Sequence, residues 1–197
     1  MKTKELTLTI IFAVLTIVLN PEISKIAFPA PYAPFLIYQI WEIPIVAALL
    51  LLSLKSAVAI AGLNAVVLFA LFQGASPLGP FYNLIAIISM LLGIFIAHML
   101  FSKKLQKDNI VLKYSIALAA IYTAFGIIFR TAVMGAFNYF TLQFPPPVGY
   151  ALPQAAVVSY YVPATSVFNA TLALYTIPLG YFIAVVIKRN LRHANMV

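Results

Sequence analysis

Residues 80–101 read PFYNLIAIISMLLGIFIAHMLF, a run in which no side chain is charged. This run belongs to a longer uncharged stretch, residues 56–102, and residues 131–187 form a second one. A helix that crosses the hydrocarbon core of a bilayer needs about 20 consecutive apolar residues. Each uncharged stretch therefore has room for two crossings, and we predict a multi-pass membrane protein.

The composition of the whole chain agrees with this interpretation. Of 197 residues, 64% are hydrophobic and 8% are charged, whereas the sequence contains no cysteine. Soluble domains carry about 25% charged residues. The composition excludes a soluble enzyme and a disordered tail, and the lack of cysteine excludes a disulfide framework and a thiolate metal site. The net charge of +8 does not indicate nucleic-acid binding, because the basic residues form no continuous patch.

Proline, glycine and charge clusters divide the apolar runs into six predicted helices in a single domain, residues 1–197. The predicted helices are residues 5–20, 37–54, 56–73, 80–101, 111–138 and 160–187. Backbone groups in lipid must be bonded within the protein, and no segment alternates with the period of a barrel strand. We therefore expect an all-α bundle of six transmembrane helices.

The distribution of basic residues predicts the orientation of the bundle. Ten of the 12 lie before, between or after helices on one side of the membrane: Lys2, Lys4, Lys55, Lys103, Lys104, Lys107, Lys113, Lys188, Arg189 and Arg192. Lys55 is assigned to the tight turn between the second and third predicted helices, whereas Lys25 lies on the opposite side and Arg130 within a helix. The positive-inside rule then places both termini in the cytoplasm and the protein in the cell membrane.

The three predicted outer loops differ from the short, basic inner turns. Residues 21–36, 74–80 and 141–159 are rich in proline and aromatic residues. Stiff aromatic loops on one side of a bundle are suited to covering an apolar ligand. The alternative is that these aromatic side chains form an ordinary belt at the membrane interface.

Few side chains could support catalysis or nucleotide hydrolysis. Among the four acidic residues, Glu42 is the one plausible functional carboxylate, since Glu22 lies near Lys25 in an outer loop. His98 and His193 have no metal-binding spacing. No glycine-rich phosphate loop precedes a Lys-Ser pair. We expect no enzyme activity, no metal, no cofactor and no energy source within this chain.

The remaining polar candidates lie near the outer ends of the predicted helices. Arg130 lies 17 residues beyond Lys113, which corresponds to about 25 Å along a helix. It could pair with a neighbour, reach the interface or contact a ligand. Asn138 falls on nearly the same helix face, Asn83 opens the fourth predicted helix and Asn169 lies in the sixth. Amides both donate and accept, which suits a neutral planar ligand, although each could equally bond two helices together.

Four short segments bring these candidates together in one order along the chain. They are FLIYQIWEIP at residues 35–44, GPFYN at residues 79–83, Asn138-Tyr139-Phe140, and Phe168-Asn169. With the six-helix layout, they resemble the S components of energy-coupling factor (ECF) vitamin transporters, most closely the riboflavin-specific members. The chain differs from those members at Leu172, where they carry lysine.

This resemblance implies a high-affinity subunit that binds riboflavin or a related flavin as transported ligand. It implies that Asn138 and Asn169 contact the flavin ring, and that Asn83 and the loop from Phe35 to Gln39 enclose the ligand. Tyr38 in that loop, the acidic Glu42 that precedes Pro44, and Arg130 complete the predicted site. The implied partners are a transmembrane coupling protein and cytosolic ATPases, with Thr9 and Ala13 standing where the family has an Ala-x-x-x-Ala surface.

Two other functional classes remain open at this stage. A stand-alone secondary transporter could couple a small neutral nutrient to protons through Glu42 or the region of Arg130. An intramembrane enzyme would need clustered acidic, histidine or serine residues, and the sequence offers no such dyad.

Overall fold

The computed structural model describes residues 3–71, 79–105 and 115–193. Its helices in chain order are α1 (Thr3–Val18), α2 (Pro21–Ser24), α3 (Ile43–Leu51), α4 (Leu54–Leu71), α5 (Gly79–Leu105), α6 (Ile116–Thr141), α7 (Gln154–Ala156) and α8 (Val162–His193). A β-hairpin of β1 (Phe28–Ala30) and β2 (Ala33–Tyr38) precedes α3. A π-helical turn, Val157–Tyr161, joins α7 to α8.

Four helical segments of the described chain are long and apolar enough to cross a membrane. They are Leu54–Leu71, Gly79–Phe101, Ile116–Thr141 and Gln154–Leu191. The protein is thus a multi-pass membrane protein. The remaining predicted spans overlap α1 and α3, which have 16 and 9 residues. Six crossings and cytoplasmic termini stay predictions.

The long helices form a closed ring of neighbours. Around the ring, α1 packs against α4, α4 against α5, α5 against α6, α6 against α8, α8 against α3, and α3 against α1. This order places α1 across the bundle from α6. The interior holds a continuous apolar core that includes Trp41, Met90 and Ile177. A side-chain carbon at Gly180 would lie 2.7 Å from Val46, so glycine permits the close approach of α8 to α3.

The structure corrects the second predicted helix, residues 37–54. Helix α3 begins only at Ile43, and β2 occupies residues 33–38. Pro44 lies in the first turn of α3, where a backbone N–H would have no partner within the helix, so proline is tolerated there. Residues upstream instead pair as antiparallel strands, with Phe28 opposite Tyr38. The expectation of a purely α-helical protein is therefore wrong in one respect, because the apolar run before Pro44 contains an extended segment.

Other boundaries move by a few residues. The predicted turn at Lys55 lies instead at residues 52–53, because the Ser53 hydroxyl accepts a hydrogen bond from the Ser56 N–H (3.1 Å) and starts α4. Helix α6 begins after Ser115, whose hydroxyl caps it by accepting from the Leu118 N–H. The last helix runs longer than predicted, from α7 through the π turn to His193. Outside the described residues lie Lys2, Lys107, Lys113 and residues 74–78 of the second predicted outer loop.

Candidate functional site

A cavity of about 500 Å³ lies at the end of the bundle that carries the hairpin. Residues of α2, α4, α5, α6, α8, the π turn, the hairpin and the loops line it. The lining residues are Asn20, Pro21, Glu22, Phe35, Leu36, Ile37, Gln39, Leu68, Gly79, Pro80, Tyr82, Asn83, Asn138, Leu142, Tyr150, Leu152, Tyr161, Thr165 and Phe168. Most of them are apolar or aromatic, as in pockets that bind small organic ligands.

The hairpin is fastened to the π turn that precedes α8. The Tyr160 hydroxyl donates to the Tyr32 carbonyl oxygen at 2.9 Å. The ring of Phe35 packs against the rings of Tyr160 and Tyr161, at centroid distances of 6.5 and 5.6 Å. These contacts place Phe35 and Tyr161 together in the cavity wall.

The end of β2 is fastened to α8 itself. The Tyr175 hydroxyl donates to the Gln39 carbonyl oxygen (2.6 Å) and accepts from the Gln39 N–H (3.2 Å). Tyr38 stacks on Phe168 with ring centroids 5.0 Å apart, and its hydroxyl lies 2.9 Å from that of Tyr32. Burial and this hydrogen bond raise the pKa of Tyr32 to about 12, so Tyr32 is neutral at physiological pH.

The opposite wall is built from α5 and the loop that follows α6. The Tyr82 hydroxyl donates to the Val148 carbonyl oxygen (3.3 Å), and the Tyr82 ring packs edge-on against Phe137 at 5.0 Å. A side-chain carbon at Gly149 would collide with the Thr141 carbonyl group, so glycine allows this loop to fold back onto α6. The loop thereby brings Leu142, Tyr150 and Leu152 to the cavity.

Four amide side chains line the cavity: Asn20 is engaged through both its oxygen and its nitrogen, whereas Gln39, Asn83 and Asn138 have hydrogen-bonding groups to spare. Asn138 is 3% exposed, and its Nδ2 donates to the Thr165 hydroxyl at 3.0 Å. Among the described residues, nothing donates to its Oδ1. The side chains of Gln39 and Asn83 form no hydrogen bond within the described chain. The cavity therefore offers both donors and acceptors to a ligand.

Arg130, Glu42 and Asn169 form a buried cluster that does not line the cavity. The Arg130 guanidinium donates from Nη1 to Glu42 Oε2 (2.5 Å) and from Nη2 to Glu42 Oε1 (3.0 Å). Its Nε donates to Asn169 Oδ1 at 2.8 Å. Arg130 and Glu42 are 1% and 0% exposed. The sequence left three roles open for Arg130: pairing with a neighbour, reaching the interface or contacting a ligand. The structure shows the first, a pairing with neighbouring residues of the bundle.

Of the eight residues that the sequence assigned to the site, the structure places four in the cavity wall and four outside it. Phe35, Gln39, Asn83 and Asn138 line the cavity. The other four are engaged elsewhere: Tyr38 stacks on Phe168, and Glu42, Arg130 and Asn169 bond to one another. The rotation of α6 and α8 explains the second group, because it turns Arg130 and Asn169 toward each other beneath the cavity.

The sequence analysis missed the contribution of α2 and of Asn20, the residue that caps it. Asn20 caps α2 by accepting the Glu22 N–H at 3.1 Å, and its Nδ2 donates to Asn64 Oδ1 at 3.4 Å. Glu22 is the one carboxylate among the described lining residues, and within residues 3–71 it forms no ion pair with Lys25. The Asn20-Pro21 pair is a helix-start signal that could have predicted this turn.

The two residues predicted to contact a partner lie on α1. Thr9 is half-buried, and its hydroxyl donates to the Glu5 carbonyl oxygen of the same helix (2.8 Å). Ala13 is 7% exposed and packs in the apolar core. The pair therefore offers little open surface at Ala13, since that face of α1 packs into the bundle.

His98 is held within the bundle. Its Nδ1 lies 2.7 Å from the Tyr122 hydroxyl, at the end of α5 far from the hairpin. No group of three histidine, cysteine, aspartate or glutamate side chains comes together in residues 3–71, 79–105 and 115–193.

This geometry has a counterpart among solved structures. No family model matches the sequence, and no curated protein is similar to it. The S component of a bacterial ECF transporter matches with a TM-score of 0.68 and 19% sequence identity, over 100% of both chains. The chain has the fold of an ECF-transporter S component. The match extends over the full length of both chains, so the likeness concerns the fold as a whole.

Proposed function

We propose that this protein is a membrane-embedded binding subunit for riboflavin or a related flavin, loaded from outside the cell. One observation carries the proposal: a cavity with aromatic walls and unengaged amides lies under the hairpin of an S-component fold. Gln39, Asn83 and Asn138 supply the amides. The four matching sequence segments support the choice of a flavin.

The size and chemistry of the cavity suit this ligand class. Pockets that bind drug-sized molecules measure about 300–1,000 Å³, and this cavity measures about 500 Å³. A flavin ring is flat, neutral and edged by donors and acceptors, which aromatic walls and amides can bind together. A ligand enclosed in this way can reach nanomolar affinity, about −12 kcal/mol.

Energy for uptake would come from other subunits. Lys55 and Ser56 lie in the first turn of α4, and the preceding residues 51–54 contain no glycine that could bind phosphate. The solved protein with this fold is a component of an ECF transporter. We therefore extend the proposal to a transmembrane coupling protein and cytosolic ATPases as partners.

Proton-coupled transport by the chain alone has less support from the structure. That alternative depended on Glu42 or the region of Arg130 as a proton relay. In the structure both oxygens of Glu42 accept from the Arg130 guanidinium, and Glu42 is fully buried. A carboxylate held by two charge-assisted bonds is a poor proton carrier.

Binding to the purified protein tests the proposal directly. When riboflavin is titrated into the purified chain in detergent, its fluorescence should be quenched on binding, with a nanomolar Kd. Saturating riboflavin should also raise the melting temperature of the protein. The control Ser89→Ala removes a buried hydroxyl that bonds only to the Ala86 carbonyl group, away from the cavity, and should bind normally. A folded protein that neither binds riboflavin nor gains thermal stability from it would contradict the flavin assignment, and a panel of other neutral vitamins would then identify the ligand class.

The partner proposal needs a separate experiment. Vesicles that contain this chain alone should bind but not accumulate flavin when ATP is enclosed. Adding a coupling protein and its ATPases should give ATP-dependent uptake. Accumulation by the chain alone that disappears with a protonophore would instead favour the proton-coupled transporter.

A further inference from the structure

Gln39 lies where the hairpin ends, and its side chain meets the cavity there. Strand β2 ends at Tyr38 and α3 begins at Ile43, so Gln39 belongs to neither element. Its side chain is 8% exposed, lines the cavity and forms no hydrogen bond within the described chain. An amide that is nearly buried and still has no partner in the described chain is available to a ligand.

The Tyr175 hydroxyl holds the main chain of Gln39 on both sides of its Cα atom. The hydroxyl donates to the Gln39 carbonyl oxygen at 2.6 Å and accepts from the Gln39 N–H at 3.2 Å. The N–H and the C=O belong to the two peptide planes that flank the Cα atom, and these planes together fix the direction in which the side chain leaves the backbone. A single hydroxyl group thereby fixes the direction of the Gln39 side chain.

The place of Gln39 in the chain explains why a side chain supplies these bonds. The antiparallel ladder ends with Phe28 opposite Tyr38, so Gln39 has no partner in the ladder. A main-chain N–H and C=O that leave a ladder need other partners, because unpaired groups are costly away from water. Tyr175 satisfies both from α8, at a distance of 136 positions in the sequence.

Tyr175 does this from outside the cavity, since it is not one of the lining residues. Its ring packs against a small apolar cluster of Ala30, Phe168 and Leu172, which joins the hairpin to α8. The ring is held by apolar contacts, and the hydroxyl is left to hold Gln39. Replacing Tyr175 by phenylalanine therefore keeps the packing and removes only the two hydrogen bonds.

We infer that Tyr175 is a positioning residue that aims the Gln39 amide at the ligand. The inference rests on the proposed flavin function, because a flavin ring is edged by the donors and acceptors that an amide can bind. The hydroxyl acts before the ligand arrives: it restricts the Gln39 backbone, so that the amide does not have to be ordered on binding. Part of the affinity that Gln39 contributes therefore depends on a residue that does not line the cavity.

A double-mutant cycle on riboflavin binding measures this dependence. Gln39→Leu removes the amide and should raise the riboflavin Kd by about tenfold, the effect of one lost hydrogen bond. Tyr175→Phe should raise the Kd by about 3–10-fold, because the amide stays but is no longer held. When both changes are combined, the Kd should remain within about twofold of the Gln39→Leu value, since Tyr175 acts through the group that is already missing.

This coupling separates positioning from a general effect on the fold. Tyr175→Phe should lower the melting temperature by about 2–10 °C whichever residue occupies position 39, since two main-chain groups lose their partner. A hydroxyl that merely held the hairpin would raise the Kd by the same factor in both backgrounds. Tyr122→Phe is the matched control, because it removes a hydroxyl that lies 2.7 Å from His98 Nδ1, far from the hairpin, and it should leave the Kd unchanged in both backgrounds.

The outcomes also distinguish this inference from the proposed function. If the unmodified protein binds no riboflavin, the proposed function and the inference fail together. If it binds riboflavin, and Tyr175→Phe weakens binding equally with glutamine or leucine at position 39, the inference alone is refuted. The inference is also refuted if Gln39→Leu or Tyr175→Phe, shown to be folded by its melting curve, leaves the Kd at the wild-type value.

Discussion

Removing Glu42 alone should destabilise the fold far more than removing both members of the ion pair. Glu42→Leu leaves Arg130, which is 1% exposed, without a counter-ion in the bundle interior. Breaking one side of a buried pair costs about 3–5 kcal/mol. Arg130 cannot escape by losing its proton. For a chain of 197 residues, this corresponds to a fall in melting temperature of about 6–20 °C.

The reverse variant should be milder. In Arg130→Met the orphaned Glu42 can take up a proton and become neutral, which an arginine cannot do. The double variant Glu42→Leu/Arg130→Met should be more stable than either single variant. The three changes therefore form a double-mutant cycle with a large favourable coupling.

Thermal unfolding in detergent, followed by circular dichroism, measures all three differences. Thr123→Val serves as the control for a buried polar change on α6 outside the cluster. If the changes in melting temperature of the two single variants simply add in the double variant, the reasoning is refuted. So would a Glu42→Leu protein that melts at the wild-type temperature.

Three further results are expected. Asn138→Leu removes the free oxygen in the cavity and should raise the riboflavin Kd by about 10–100-fold in a fluorescence titration, since a buried hydrogen bond is lost; an unchanged Kd would mean that the ligand does not reach this wall. Glu22→Gln should improve binding of riboflavin 5′-phosphate relative to riboflavin by a few-fold, because it removes the one carboxylate among the described residues that line the cavity; the ratio of the two Kd values measures this, and a constant ratio contradicts it. Tyr160→Phe removes the hydrogen bond that fastens the hairpin to the π turn and should speed riboflavin release by about 2–10-fold in stopped-flow experiments. The control Ser159→Ala breaks only a bond to the Ala155 carbonyl group and should leave the release rate unchanged.

The sequence predicted the four long apolar helices because their signal is local. Uncharged runs and proline boundaries are properties of neighbouring residues, and the long helices lie close to where these signals place them. The aromatic loops and the amides Asn83 and Asn138 could also be predicted, since their depth follows from distance along a helix.

The hairpin and the ion pair could not be predicted from the sequence in the same way. Residues 33–38 form a strand because residues 28–30 lie beside them, and an apolar run alone does not distinguish this from a helix. Glu42 and Arg130 are 88 positions apart in the chain. Their contact depends on how α3, α6 and α8 rotate against each other, which the periodicity of each helix leaves undetermined.

The attachment of the hairpin connects the cavity end of the bundle to its far end through one helix. Tyr160 bonds to Tyr32 in the hairpin turn and Tyr175 bonds to Gln39 just after β2. Both tyrosines lie in the helical segment that continues through α8. Helix α8 has 32 residues, about 48 Å in length, and its far end carries Lys188 and Arg189. A displacement of that far end would therefore be transmitted along a single helix to the hairpin at the cavity.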